Sequence, residues 1–103
     1  MPLILHILQH SPEDCPLNNE KVKKLSVVFM SKMGQHTKKH GIKVVGAWHS
    51  AADHTVVIVW DVPSIEAWQK FNMEPEVLDL MAYNTSEIKL VTTLEEAMKI
   101  YMK

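Results

Sequence analysis

Six histidines and one cysteine are the side chains of this chain with the most chemistry to offer, and four of them fall in two short windows. His10 and Cys15 stand near the beginning, His49 and His54 in the middle. Imidazole and thiolate together suit zinc, nickel or copper, whereas a soft thiolate disfavours calcium and magnesium. A thiolate beside an imidazole is also the core of a nucleophilic pair, but no loop of the oxyanion-hole kind is legible here. There is no Cys-x-x-Cys, no His-Glu-x-x-His and no glycine-rich phosphate loop. Any site must therefore be assembled by the fold rather than by local spacing.

The stretch from Gly41 to Asp61 does the first part of that assembly. Two runs rich in Val, Ile and Trp flank the small and polar residues Ser50 to Asp53, the pattern of a β-hairpin. A loop symmetric about Ala51 and Ala52 pairs His49 with His54, and directly opposite residues point to one face. On that register Lys43, Val45, Ala47 and His49 share a face with His54, Val56, Ile58 and Trp60, and Val44 and Trp48 lie on the other. Both faces are largely apolar, so both must be covered.

The remaining elements follow from periodicity and punctuation. Leu3 to His10 reads as a first strand, and Pro12 and Pro16 make the next segment a loop. A helix capped by Asn18 or Asn19 carries Val22, Leu25, Phe29, Met33 and His36 on one side and stops at Gly41. Ser64 opens a second helix, which Glu74-Pro75 interrupts, and the new piece carries Val77, Leu78 and Met81. Glu87 to Thr92 is a fourth strand, with Ile88 and Leu90 on its better-buried face. Thr93 and Glu96 form a capping box for a short helix that ends near Tyr101.

The order β-α-β-β-α-β plus a terminal helix is the ferredoxin-like α+β arrangement, an antiparallel sheet in the order 4-1-3-2 with its helices on one face. The other face is left bare and apolar, and a second copy packed sheet to sheet is the simplest cover, so a symmetric homodimer is expected. This topology brings the end of the first strand (His10), the end of the second (His49) and the start of the third (His54) to one edge of the sheet. The loop of Cys15 and the Tyr83-Asn84 turn reach the same edge. The four residues His10, Cys15, His49 and His54 are the expected metal ligands. His6 lies deeper on the face of His10; with Trp60 and Tyr83 it is placed to line a pocket in which a planar ligand, haem being the less favoured, could lie.

Gly46-Ala47-Trp48-His49 ending a strand, followed by an apolar strand and then Ser64-Ile65-Glu66-Ala67-Trp68 opening a helix, resembles the dimeric α+β-barrel superfamily. The likeness follows element order over residues 3 to 96, and is nearest to small members with a similar Gly-x-Trp-His strand end. It implies dimerisation and a ligand pocket. The superfamily includes cofactor-free monooxygenases, haem-degrading enzymes, stress-response proteins and small nickel-binding proteins, so it does not select a chemistry.

Composition narrows the partners. A chain of 103 residues supports one domain, here 1–103, with one modest core. A formal net charge of −1 gives no general attraction to nucleic acid or to anionic membrane. A lone cysteine allows no intrachain disulfide and fits a reducing compartment; with no evident signal peptide and no long apolar run, a cytoplasmic protein is expected. Three functions then compete: a transition-metal protein built on the His/Cys cluster, a small monooxygenase-like enzyme using a pocket between helices and sheet, and a structural or regulatory dimer with no site. In the last, His49 and His54 are polar hairpin-end residues and the tryptophans are core.

Overall fold

The computed structural model describes residues 3–102. Its four strands are β1 (Leu3–Gln9), β2 (Lys43–Ser50), β3 (Thr55–Asp61) and β4 (Thr85–Val91), and its helices are α1 (Glu20–His40), α2 (Ile65–Asn72), α3 (Pro75–Met81) and α4 (Leu94–Tyr101). The sheet runs β2-β3-β1-β4 with every neighbouring pair antiparallel, the order expected from the sequence.

Local chemistry explains the element boundaries. The Asn19 side chain accepts from the Val22 N–H at 3.2 Å to start α1, and Gly41, at φ 69°, ends it in the left-handed conformation. The Ser64 hydroxyl caps α2 through the Ala67 N–H, and Pro75 occupies the first turn of α3. The Thr93 hydroxyl accepts from the Glu96 N–H at 3.1 Å and starts α4.

Alternation along β1 puts Ile4, His6 and Leu8 under the helices, opposite Trp60, Ile58 and Val56 of β3. Val22 and Phe29 of α1, Trp68 and Phe71 of α2, and Val77 and Leu80 of α3 close over them. The Trp60 ring centroid lies 5.2 Å from that of Phe71 and 5.4 Å from that of Trp68, so an aromatic cluster anchors α2 to the sheet.

Two expectations about the sheet need correction. The hairpin turn is Ala51 to His54, with Ser50 opposite Thr55 and His49 opposite Val56, so His49 and His54 are not a cross-strand pair. Asp53 centres the turn: its carboxylate accepts from the Ser50 hydroxyl at 3.2 Å and its carbonyl from the Thr55 hydroxyl at 3.0 Å. A bulge at Val45 then shifts the register between Val44 and Gly46, turning Val44 to the helix side with Trp60. Along β4, Ile88 and Leu90 face the helix side beside His6 and Ile4 but are 49% and 67% exposed. They lie on an edge strand that the helices, packed on the centre of the sheet, do not reach.

The opposite face carries Leu3, Leu5, Ile7, Val57 and Val59, all half-buried and none of them part of the core beneath the helices among the described residues. Trp48 joins them, and its indole folds back over Gly46, where an added Cβ would stand 2.4 Å from the ring. The missing side chain of the Gly-x-Trp pattern is thus the space in which the tryptophan lies.

Candidate functional site

Among the described residues, the helix-side face holds two clusters of histidines and a cleft. The first cluster ties the C-terminal half of α1 to the start of α3. His36 Nε2 lies 2.9 Å from Glu76 Oε2, His40 Nε2 2.9 Å from Glu74 Oε1, and Lys39 Nζ 2.9 Å from the same Glu74 oxygen. Lys32 adds a contact to Glu76 at 3.4 Å. Hydrogen bonds from His40 and then Lys39 hold the Glu74 carboxyl well below the usual range, at about 2. Both carboxylates are matched by cations of α1, which makes this a helix–helix clamp.

The second cluster is the one the sequence brings to the sheet edge. One donor atom from each of His10, Cys15 and His54 lies within 4.8 Å of the other two. The His10 and His54 rings meet edge to face at 5.5 Å, and the His10 N–H donates to the His54 carbonyl at 3.2 Å. Cys15 is 2% exposed, and its carbonyl accepts from both Asn18 and Asn19 N–H groups at 2.8 Å, fixing the loop to the start of α1. His54 is held at φ 51°, a left-handed conformation that histidine adopts more readily than bulky residues. His10 Nε2 and His54 Nδ1 are both buried without a hydrogen-bond partner. Each such orphan costs about 1–3 kcal/mol.

His49 stands apart from this triad. It is exposed and borders instead a cleft of about 360 Å³ between α1 and the β2–β3–β1 part of the sheet. Leu8, Val22, Phe29, Ile58 and Leu80 form the buried floor of the cleft; Met30, Val44 and Ala47 form its exposed rim. Its polar groups are few: His10, His49, Ser26 and Asn84. A concave apolar site with a small set of polar groups is the usual form of a small-molecule pocket. His10 belongs to both cleft and triad.

His6, Trp60 and Tyr83 do not line this cleft. His6 Nδ1 accepts from the Trp60 indole N–H at 3.3 Å, which leaves its proton on Nε2, 3.2 Å from the Ser86 hydroxyl. Burial pushes the His6 imidazole down to about 4, so it is neutral, satisfied and structural at neutral pH. Trp60 is 1% exposed and walled in by Trp68 and Phe71, leaving no room for a planar ligand against its ring. Tyr83 lies half-buried in a shallow hollow shared with Gln9, Asp14 and His10. The apolar residues that line the cleft are not legible as such in the sequence. Their helical spacing on α1 reads simply as core.

No protein-family model matches the chain, and no curated protein matches it. Among solved structures it is similar to an antibiotic biosynthesis monooxygenase, at 14% identity and TM-score 0.63, over 90% of this chain and 98% of that one. It is also similar to a protein of Agrobacterium tumefaciens, at 16% identity and TM-score 0.58, over 89% and 92% of the two chains. The fold is therefore the ferredoxin-like α+β fold of these proteins, and the resemblance drawn from the strand order holds at that level. Among the described residues, no helix is long and apolar enough to cross a membrane.

Proposed function

We propose that this protein is a small monooxygenase-like enzyme that takes an apolar organic substrate bearing one polar group into the cleft beneath α1. The observation that carries this reading is the cleft itself: about 360 Å³, apolar on its floor and rim, with His10 and His49 among its few polar groups. The fold shared with a monooxygenase supports it. Imidazole is the side chain most often used to remove a proton from a substrate, and His10 and His49 are the candidates for that role. A symmetric pair joined through the sheet faces away from the helices is the working form in this reading, since half-buried Leu3, Leu5, Ile7, Val57 and Val59 and exposed Trp48 make that face apolar.

Binding is tested with 1-naphthol, an apolar bicyclic probe with one hydroxyl, by following the amide resonances of the whole chain. The expected shifts cluster on Ser26, Met33, Ala47 and His49, and Ala47→Phe, which fills the rim, removes them. Shifts scattered over the surface, or none at millimolar probe, would sink the proposal. Oxygen uptake with a panel of phenols and hydroquinones then identifies the turnover substrate. Light scattering checks the pair, and a monomer at micromolar concentration would refute it.

A further inference from the structure

We propose that His10, Cys15 and His54 form a binding site for a divalent late transition-metal ion, with zinc and cobalt as the probes. This inference stands apart from the cleft reading and uses different atoms, apart from the His10 ring that borders both.

Three observations converge on it. The donors are of the right kind, two imidazoles and a thiol, a set that late first-row ions prefer over calcium or magnesium. They are already gathered, within 4.8 Å of one another, whereas a tetrahedral ion holds such donors about 3.3–3.6 Å apart. Closing that difference takes side-chain adjustments of about 1 Å, with no change of fold. Finally, each of the two imidazoles carries a ring nitrogen buried without a hydrogen-bond partner, Nε2 of His10 and Nδ1 of His54; the other such imidazole nitrogen among the described residues, His36 Nδ1, still faces the Glu74 carboxylate at 3.4 Å.

The surroundings hold the donors in place. Each of the three arrives on a different segment: the end of β1, the loop before α1, and the β2–β3 turn. The paired Asn18 and Asn19 N–H groups fix the Cys15 carbonyl, and the His10 N–H joins its segment to that of His54. A donor set fixed by its own backbone bonds loses little freedom on binding. The clamp of His36, Glu74 and Glu76 also gathers three donors, but Lys32 and Lys39 already pair with its carboxylates and His40 lies within hydrogen-bond distance of Glu74. It needs no ion.

Three protein donors leave a fourth coordination position, the arrangement of metal centres that take an exogenous ligand. Binding releases the thiol proton to solvent as the sulfur–metal bond forms, so affinity rises with pH.

The test uses the full chain, purified without a histidine tag, stripped with chelator and titrated with cobalt(II) in the absence of oxygen. Because the sequence has a single cysteine, a thiolate-to-cobalt absorption band in the near ultraviolet identifies Cys15 without any mutation. The expected result is that band at one equivalent, displaced by zinc. Cys15→Ser abolishes it, and His10→Ala and His54→Ala each weaken affinity at least about tenfold. His49→Ala leaves it unchanged. Retention below about 0.1 equivalent of cobalt or zinc would overturn the proposal. So would cobalt bound without the thiolate band, an outcome the wild-type chain alone decides should any variant misfold. Ala47→Phe separates the two readings: it blocks 1-naphthol while the cobalt band persists.

Discussion

The two histidine clusters on the helix side are made of similar parts and are balanced differently. Around His36 and His40, each carboxylate meets a lysine and a histidine from α1, and even the ring nitrogen there without a hydrogen bond, His36 Nδ1, faces the Glu74 carboxylate at 3.4 Å; the result is a clamp between α1 and α3. Around His10 and His54 there is no carboxylate partner for either orphaned ring atom, and the nearest donor-type neighbour is a buried thiol. A cluster that satisfies itself explains its own presence through stability. One that does not is a burden on the fold, and its presence calls for something it binds.

Removing histidines from each side is the most direct way to break this contrast, and the largest effect belongs to the clamp. His36→Ala leaves Glu76 without its closest partner and is expected to lower the urea midpoint, at unchanged slope, by more than any other single change in either cluster. If His36→Ala matched wild type, the clamp would be ornamental and the comparison would fail.

Acid sharpens it next. His6 titrates at about 4 when folded against 6.5 in the open chain, so the unfolded state binds more protons between those values and stability falls as pH drops from 6.5 to 4. Glu74, at about 2 when folded and 4.5 when not, continues the loss below pH 4.5. Urea midpoints measured from pH 7 to pH 3 should decline without a rise. His6→Gln should flatten the upper part of that decline and leave the lower part.

His54→Gly reverses the sign. It relieves a left-handed non-glycine residue and deletes an orphaned nitrogen, and is expected to raise stability by about 1 kcal/mol while abolishing cobalt binding. A site residue whose loss makes the protein sturdier is what a ligand-bearing position predicts. The smallest effect falls on His49, outside both clusters: His49→Ala should stay within about 0.5 kcal/mol of wild type and weaken only 1-naphthol binding.

How much of this was legible in the chain depended on how local the cause was. Helix ends were readable because Asn19, Ser64, Thr93 and Gly41 act within a turn of themselves. Strand order followed from element order. The convergence of His10, Cys15 and His54 followed from topology, which needs no side-chain detail. The partner of His49 differs from the expected one because the turn centre depends on the Asp53 hydrogen bonds, and moving that centre by one residue shifts every partner by two. The burial of Ile88 and Leu90 was misread for a different reason: alternation tells which way a side chain points, but not how far across the sheet the helices extend. The neutral state of His6 was out of reach, since it depends on burial among residues distant in sequence, Trp60 and Trp68 included.

The three tryptophans differ in a way that experiments can exploit. Trp60 and Trp68 are enclosed in the interior, and Trp48 alone is 60% exposed, resting on Gly46 at the rim of the bare sheet face. The chain thus carries its own optical reporter. Water-soluble quenchers should reach one indole of the three, and the loss of that quenchable fraction on concentrating the protein would register, without any label, the moment that face is covered.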